Sequence, residues 1–263
     1  MKNIKVAVSG ACGRMGKTAI EAVNADPALD LSGLIDINEI GASYYGIKVT
    51  NEIKQTNFRE KTDVLIEFTH PKSVFENIKK ALSENLHCVV GTTGLAEAQL
   101  KEIEKMALDK NLGVLIAPNF AIGAVLMMKF AQIAAKYMKS AEIIELHHDK
   151  KADSPSGTAL LTAKMICENI KPQIKNPDII NLGGVRGGIM KGAGGGEVNV
   201  HSLRLPGLVA HQEVIFGDIG QTLTIRHDSL SRESFMPGVV MAVKEIVKRK
   251  GLIIGLENIM EGF

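Results

Sequence analysis

Residues 147–159 read His-His-Asp-Lys-Lys-Ala-Asp-Ser-Pro-Ser-Gly-Thr-Ala, with two histidines and two lysines in five consecutive positions. Imidazoles exchange protons near neutral pH. A lysine ammonium can hold an anion or act as an acid toward it. Ser156, Gly157 and Thr158 open an apolar periodic run, so they sit where a helix begins and its first backbone N–H groups lack partners, a natural anion site. This combination suits a ligand that bears carboxylates and needs a proton. A solvated charged loop ahead of a helix cap would show many of the same residue types, and the rest of the chain has to decide between the two. The preceding "AEIIELHHD" reads as a strand, which turns His147 and His148 to opposite faces and gives them different tasks.

A second constellation lies near the N-terminus. "VSGACGRMGK" sets Gly10, Gly13 and Gly16 directly after the strand-like "IKVAVSG" and at the start of a helical pattern. Glycines there permit a tight turn and bring the backbone close to a pyrophosphate, which the helix N-terminus attracts. Asp36 ends the next strand about twenty residues on, where an acid binds the ribose hydroxyls of NAD. Asp36 as a simple loop cap is the alternative. "GTTG" (Gly91 to Gly94) and "APNF" (Ala117 to Phe120) fall at the carboxyl ends of later strands, where ligands of open α/β sheets bind.

These residues need a scaffold that alternates strand and helix. The first half supplies it, with strands around residues 4–10, 29–36, 62–69, 87–93 and 112–118 and helices over 15–24, 73–85 and 96–110. Such alternation predicts a parallel, doubly wound sheet. After Asn119 the pattern changes to a long amphipathic helix over 122–138, whose Leu126, Met127 and Met128 read as core. A strand, a helix, a glycine-rich segment and three further strand-like runs follow, before a last helix starting near Pro237. The expected fold class is α/β: an N-terminal Rossmann-type parallel sheet plus a C-terminal α+β domain with a mainly antiparallel or mixed sheet.

Composition narrows the function further. The 263 residues are 45% hydrophobic and 23% charged with a net charge of +2, which gives no broad basic surface for nucleic acid. Cys12, Cys88 and Cys167 are few and widely spaced, so the sequence predicts a reducing compartment, no disulfide framework and no metal site. The N-terminus reaches a glycine too early for a signal peptide, and the longest apolar run, around "AIGAVLMM", is far short of a membrane span. The expectation is a cytoplasmic protein.

The motifs "GACGRMG", "GTTG", "APNFAIG", "ELHHDKKADSPSGTA" and "DSLSRESFMPG" run nearly end to end and resemble those of the 4-hydroxy-tetrahydrodipicolinate reductases, also called dihydrodipicolinate reductases. The histidine–lysine–Pro-Ser-Gly-Thr motif is specific to that family. The resemblance implies a Rossmann domain over residues 1–120, rejoined by 236–263, and a substrate-binding and oligomerisation domain over 121–235, with hinge closure between them. It implies reduction of a cyclic imine-type dicarboxylate by NADH or NADPH, with loss of water, in the diaminopimelate route to lysine, by a homotetramer that binds neither nucleic acid nor membrane. Cofactor contacts carried over fall on Gly10, Ala11, Cys12, Gly13, Arg14, Met15, Asp36, Gly91, Thr92, Thr93, Ala117, Pro118, Asn119 and Phe120. His147 carries over as proton donor/acceptor and Lys151 as proton donor. His148, Gly157 and Thr158 carry over as carboxylate contacts, with Ser156 in support. Arg232 and Phe235 match a segment on the cofactor side.

The chain departs from the family pattern around Pro206 and Ala210 to Gln212, although His211 and Glu213 supply polar groups there. It also has Ile37 where some members carry an arginine after the ribose-binding acid. Asp36 would repel a 2′-phosphate and Ile37 offers no guanidinium to hold one, so NADH should serve at least as well as NADPH. Other two-domain NAD(P)-dependent dehydrogenases of amino-acid imines, such as aspartate dehydrogenase, share the first half, and a non-catalytic nucleotide-binding protein would too. The dicarboxylate motif speaks against both.

Overall fold

A computed structural model describes residues 3–171, 187–192 and 195–260. Positions 182–186 and 193–194 of the glycine-rich segment lie outside the described residues. The chain forms two compact units, Met1–Ala121 together with Arg232–Phe263, and Ile122–Ser231.

The first unit begins with β1 (Ile4–Ser9), α1 (Arg14–Ala25), β2 (Leu29–Ile35) and two short strands, β3 (Ser43–Tyr44) and β4 (Ile47–Thr50). It continues through β5 (Val64–Glu67), α2 (Val74–Ser83), β6 (His87–Val90), α3 (Glu97–Asp109) and β7 (Gly113–Ile116). The second unit holds α4 (Ile122–Ala134), β8 (Ser140–His147), α5 (Gly157–Cys167), β9 (Gly187–Lys191), β10 (Glu197–Arg204), β11 (Ala210–Asp218) and β12 (Gln221–Ser229). The chain then returns to the first unit with α6 (Met236–Ile246) and β13 (Gly251–Ile254).

The first sheet has eight strands in the order β13-β7-β6-β5-β1-β2-β4-β3, parallel except for the β3–β4 pair. Its inner strands are apolar through their length, because helices cover both faces. On the side of α2 and α3, Leu65, Ile78, Leu82, Leu86 and Ile103 are fully buried. α6 packs with α1 and against β6 and β7. β1 lies between β2 and β5, and the connections run outward from it in both directions. That is the topological switch point, where the carboxyl ends of two adjacent strands leave a crevice.

The second sheet has five strands in the order β12-β11-β8-β10-β9. β8 and β10 are parallel and the other neighbours antiparallel, so the sheet is mixed. α4 and α5 pack together and cover one face. β8 and β11 alternate buried and exposed residues accordingly, with Ala141, Ile143 and Glu145 paired toward the helices with Phe216, Val214 and Gln212.

Leu126 is half-buried while Met127 and Met128 are buried, as core residues should be. α4 ends at Ala134, four residues earlier than its periodicity predicts, in a run of hydrogen-bonded turns to Met138. β3, β4, β9 and β13 are not legible in the sequence. They are short or glycine-rich, and each exists because a neighbouring strand pairs with it.

Candidate active site

The nucleotide-type features lie in the first unit, where β1 turns into α1. Gly10 has φ +81°, and a Cβ there would stand 2.4 Å from the Phe68 carbonyl oxygen. At Gly16 a Cβ would stand 2.0 Å from the Gly10 carbonyl oxygen, so both glycines are required by backbone packing. Gly13 is the N-cap of α1 and has no side chain to cap it, and the first turn contains no acid. The helix N-terminus is therefore open to an anion. Ala11 is buried, Cys12 and Met15 half-buried, and Arg14 exposed.

Asp36 follows β2 and is almost wholly buried. One oxygen accepts the Cys12 N–H at 2.9 Å; the other accepts the Asn38 N–H at 2.9 Å and its amide at 3.2 Å. The acid thus clamps the glycine turn to the loop after β2. A cavity of about 500 Å³ opens at this point, lined among others by Gly10, Gly13, Asp36, Ile37, Glu39 and Thr69. Glu39 adds a second carboxylate, held by the Tyr44 hydroxyl and by Lys17 at 3.7 Å. These features fit a dinucleotide: a close-approach turn, an uncapped helix and an acid at the ribose position.

Gly91 follows β6, and a Cβ on it would meet the Phe68 ring at 2.2 Å. Phe68 in turn meets Phe120 edge to face, with centroids 6.1 Å apart. Thr92 is buried and Thr93 exposed. Ala117 and Phe120 are buried, Pro118 is exposed, and the Asn119 Oδ1 accepts the Ala121 N–H at 2.9 Å. These two turns follow the ends of the adjacent strands β6 and β7. Arg232 and Phe235 form a short helical turn in the same unit, leading into α6.

The basic motif lies in the second unit. His147 is the last residue of β8, and the two-residue period puts it on the same face as Glu145. His148 lies beyond the strand and is exposed. Ser156 caps α5, its Oγ accepting the Ala159 N–H at 3.2 Å. Gly157 begins the helix, and a Cβ there would meet nothing within 4 Å. Packing does not demand that glycine; its effect is to leave the first turn uncovered. Thr158 is half-buried in that turn. The Lys151 Nζ reaches both carboxylate oxygens of Asp153, at 2.7 and 2.9 Å. That ammonium holds the Asp153 carboxyl below the usual range.

Two further residues hold this motif in place, Glu145 and Arg204. Glu145 is fully buried. The Arg204 guanidinium grips both its oxygens at 2.8 Å, His147 Nδ1 lies 2.5 Å from Oε2, and the Ser156 N–H reaches Oε1 at 3.2 Å. Burial by itself would raise the Glu145 carboxyl, but the hydrogen bonds from His147 and Arg204 outweigh it and bring it down to about 2. Arg204 also donates to the Asp153 carbonyl at 2.7 Å, which ties the lysine loop to the sheet. Glu145 was visible as a carboxylate two residues before His147. Arg204 lies 59 residues away from Glu145 in the chain, and only strand pairing joins them.

His211 and Glu213, the polar groups near the departure from the family pattern, lie on β11. Gln212 shares the helix-covered face with Glu145, so its neighbours face the other side. There His211 pairs with Asp228 at 2.6 Å and Glu213 with Arg226 at 2.8 Å. Cys12, Cys88 and Cys167 are free thiols. Among the described residues no cluster of potential metal ligands occurs, and no helix is long and apolar enough to cross a membrane.

The doubly wound sheet with its glycine turn, together with a second unit bearing a histidine- and lysine-rich motif, defines a Rossmann-type oxidoreductase of the pyridine-nucleotide class. The family model for the N-terminus of dihydrodipicolinate reductase matches residues 4–120, and that for its C-terminus matches residues 123–260. The chain belongs to the dihydrodipicolinate reductase family. A 4-hydroxy-tetrahydrodipicolinate reductase of Syntrophomonas wolfei is 49% identical, covering 97% of this chain and 98% of that one. One from Dictyoglomus turgidum is 47% identical, with 98% of each chain covered. The solved structure of a dipicolinate-bound dihydrodipicolinate reductase from Paenisporosarcina sp. TG-14 superposes with a TM-score of 0.87 at 41% identity, over 98% of this chain and 100% of that one.

Proposed function

We propose that the protein reduces 4-hydroxy-tetrahydrodipicolinate to tetrahydrodipicolinate with loss of water, using a reduced nicotinamide cofactor, in the diaminopimelate route of lysine biosynthesis. The observation that carries this reading is the N-terminus of α5, tied through Glu145 to His147 and through Arg204 to the loop that carries Lys151. Such a site takes a carboxylate and offers a proton, as reduction of a cyclic dicarboxylate imine requires.

A bound nicotinamide supplies the hydride. The protein's part is to bind, orient and move the proton. The first turn of α5, through Ser156, Gly157 and Thr158, holds one substrate carboxylate, with His148 as a further contact. Lys151 exchanges its Asp153 partner for substrate, and His147 and Lys151 are the groups that give up a proton once the conjugated imine left by loss of water accepts hydride. Gly10 to Met15, Asp36, Gly91 to Thr93 and Ala117 to Phe120 hold the cofactor. Asp36 and Glu39 at the ribose position favour NADH at least as well as NADPH, because both carboxylates repel a 2′-phosphate.

The face of the second sheet opposite α4 and α5 exposes Ile189 and Leu203, and among the described residues no helix of this unit packs on it. A bare sheet face of this kind supports a homotetramer built on these sheets. The functional test is NADH oxidation with substrate generated in place from pyruvate and aspartate semialdehyde by the preceding synthase. Turnover is expected. Its absence with folded, NADH-binding protein would overturn the reading.

A further inference from the structure

Glu145 has a task that the substrate contacts leave unassigned. Its two oxygens are not equivalent. Oε1 accepts from Arg204 Nη2 at 2.8 Å and from the Ser156 N–H at 3.2 Å. Oε2 accepts from Arg204 Nη1 at 2.8 Å and faces His147 Nδ1 at 2.5 Å. Arg204 is itself immobilised, with 6% of its side chain exposed and further bonds to the Leu203 and Asp153 carbonyls, each at 2.7 Å. A carboxylate gripped on both oxygens by a guanidinium can only accept. The donor in the remaining contact is therefore Nδ1. The His147 Nε2 takes no protein hydrogen bond among the described residues.

We propose that Glu145, braced by Arg204, is a positioning residue that fixes the Nδ1–H tautomer of His147 and so reserves Nε2 for proton exchange with the substrate. The inference rests on the reading of His147 as a proton-exchanging group. The proton balance is simple. The imidazolium carries protons on both nitrogens, Nε2 gives its proton to the substrate, and the ring is left as the neutral Nδ1–H form. No proton has to cross the ring, and Glu145 stays ionised throughout.

Glu145→Gln tests this with little change in shape. At either position the amide NH2 would face one Arg204 N–H, but the Ser156 N–H beside Oε1 can only donate whereas His147 beside Oε2 can change tautomer and accept, so the amide oxygen takes the Oε1 position. The NH2 group then faces His147 Nδ1, makes that nitrogen an acceptor and moves the ring proton to Nε2. Because the amide oxygen keeps the Ser156 bond, the start of α5 stays in place.

In histidine-labelled protein, 15N NMR of the neutral His147 ring, assigned by its loss in His147→Ala, should show Nδ1–H in the wild type and Nε2–H in the glutamine variant. The kcat should fall about a hundredfold, the lower range for lost general acid–base catalysis, while KM changes by less than about threefold. An Nε2–H ring in the wild type overturns the proposal, and this measurement does not depend on Glu145→Gln folding. An unchanged kcat in Glu145→Gln, with His147→Ala inactive, also overturns it while leaving the role of His147 standing. A fully active His147→Ala would instead remove the underlying reading.

Discussion

The Lys151 ammonium lies within hydrogen-bonding distance of both Asp153 oxygens, so substrate must replace a partner that is already charged. Lys151→Ala should therefore lower kcat and raise KM together. Loss of a charged hydrogen bond costs roughly 1.5–3 kcal/mol, or about ten- to a hundredfold in kcat/KM, and loss of the acid adds to it. The Kd for NADH should stay constant, because the nucleotide residues belong to the other unit; steady-state kinetics with an NADH titration check both statements. His147→Ala should act mainly on kcat, and His148→Ala, an exposed contact, mainly on KM. At the ribose position Asp36 also holds the Cys12 and Asn38 N–H groups. Asp36→Ala should weaken NADH by about tenfold or more and NADPH by less, as measured by fluorescence titration. Equal weakening of the two would show that the acid serves only to shape the turn.

At the scale of elements, the start of α1 depends on a glycine outside the proposed cofactor contacts, Gly16. A Cβ at Gly16 would stand 2.0 Å from the Gly10 carbonyl oxygen, and backbone there cannot swing aside. Gly16→Ala should lift α1 off the turn, cost at least about 1–3 kcal/mol as overpacking and weaken NADH binding. Thermal unfolding and cofactor titration read the two effects. In the second unit, β8, β10 and α5 are tied together by Glu145, whose carboxyl is brought down to about 2 from an ordinary value of 4.5. A depressed carboxyl stabilises fully above its unfolded pKa and loses that contribution as pH falls through the folded value. The unfolding free-energy gap between wild type and Glu145→Gln should thus be widest near neutrality and close by up to about 3 kcal/mol between pH 4.5 and 2. Urea titrations at three pH values check this, and a pH-independent gap contradicts it.

For the whole molecule, the sheet face that no helix of the second unit covers among the described residues leads to the expectation of a stable homotetramer. Light scattering should give about four times the chain mass of 28.3 kDa, and a stable monomer at working concentration would contradict it. The strand–helix alternation, the glycine turn, Asp36 and the basic motif were legible in the sequence because each is local: a period of two or 3.6, a turn, or a run of a dozen residues. Periodicity also put His147 and Glu145 on one strand. What it could not supply was Arg204, brought to Glu145 by the parallel pairing of β8 with β10 across 59 residues, or the short strands that exist only beside a partner. Nor could it say which face His211 and Glu213 take, since a strand's two faces are equivalent until helices cover one of them. Sequence alone fixed the kinds of group the site would contain. Tertiary structure decided which of those groups meet, because pairing register and burial depend on chain segments far apart.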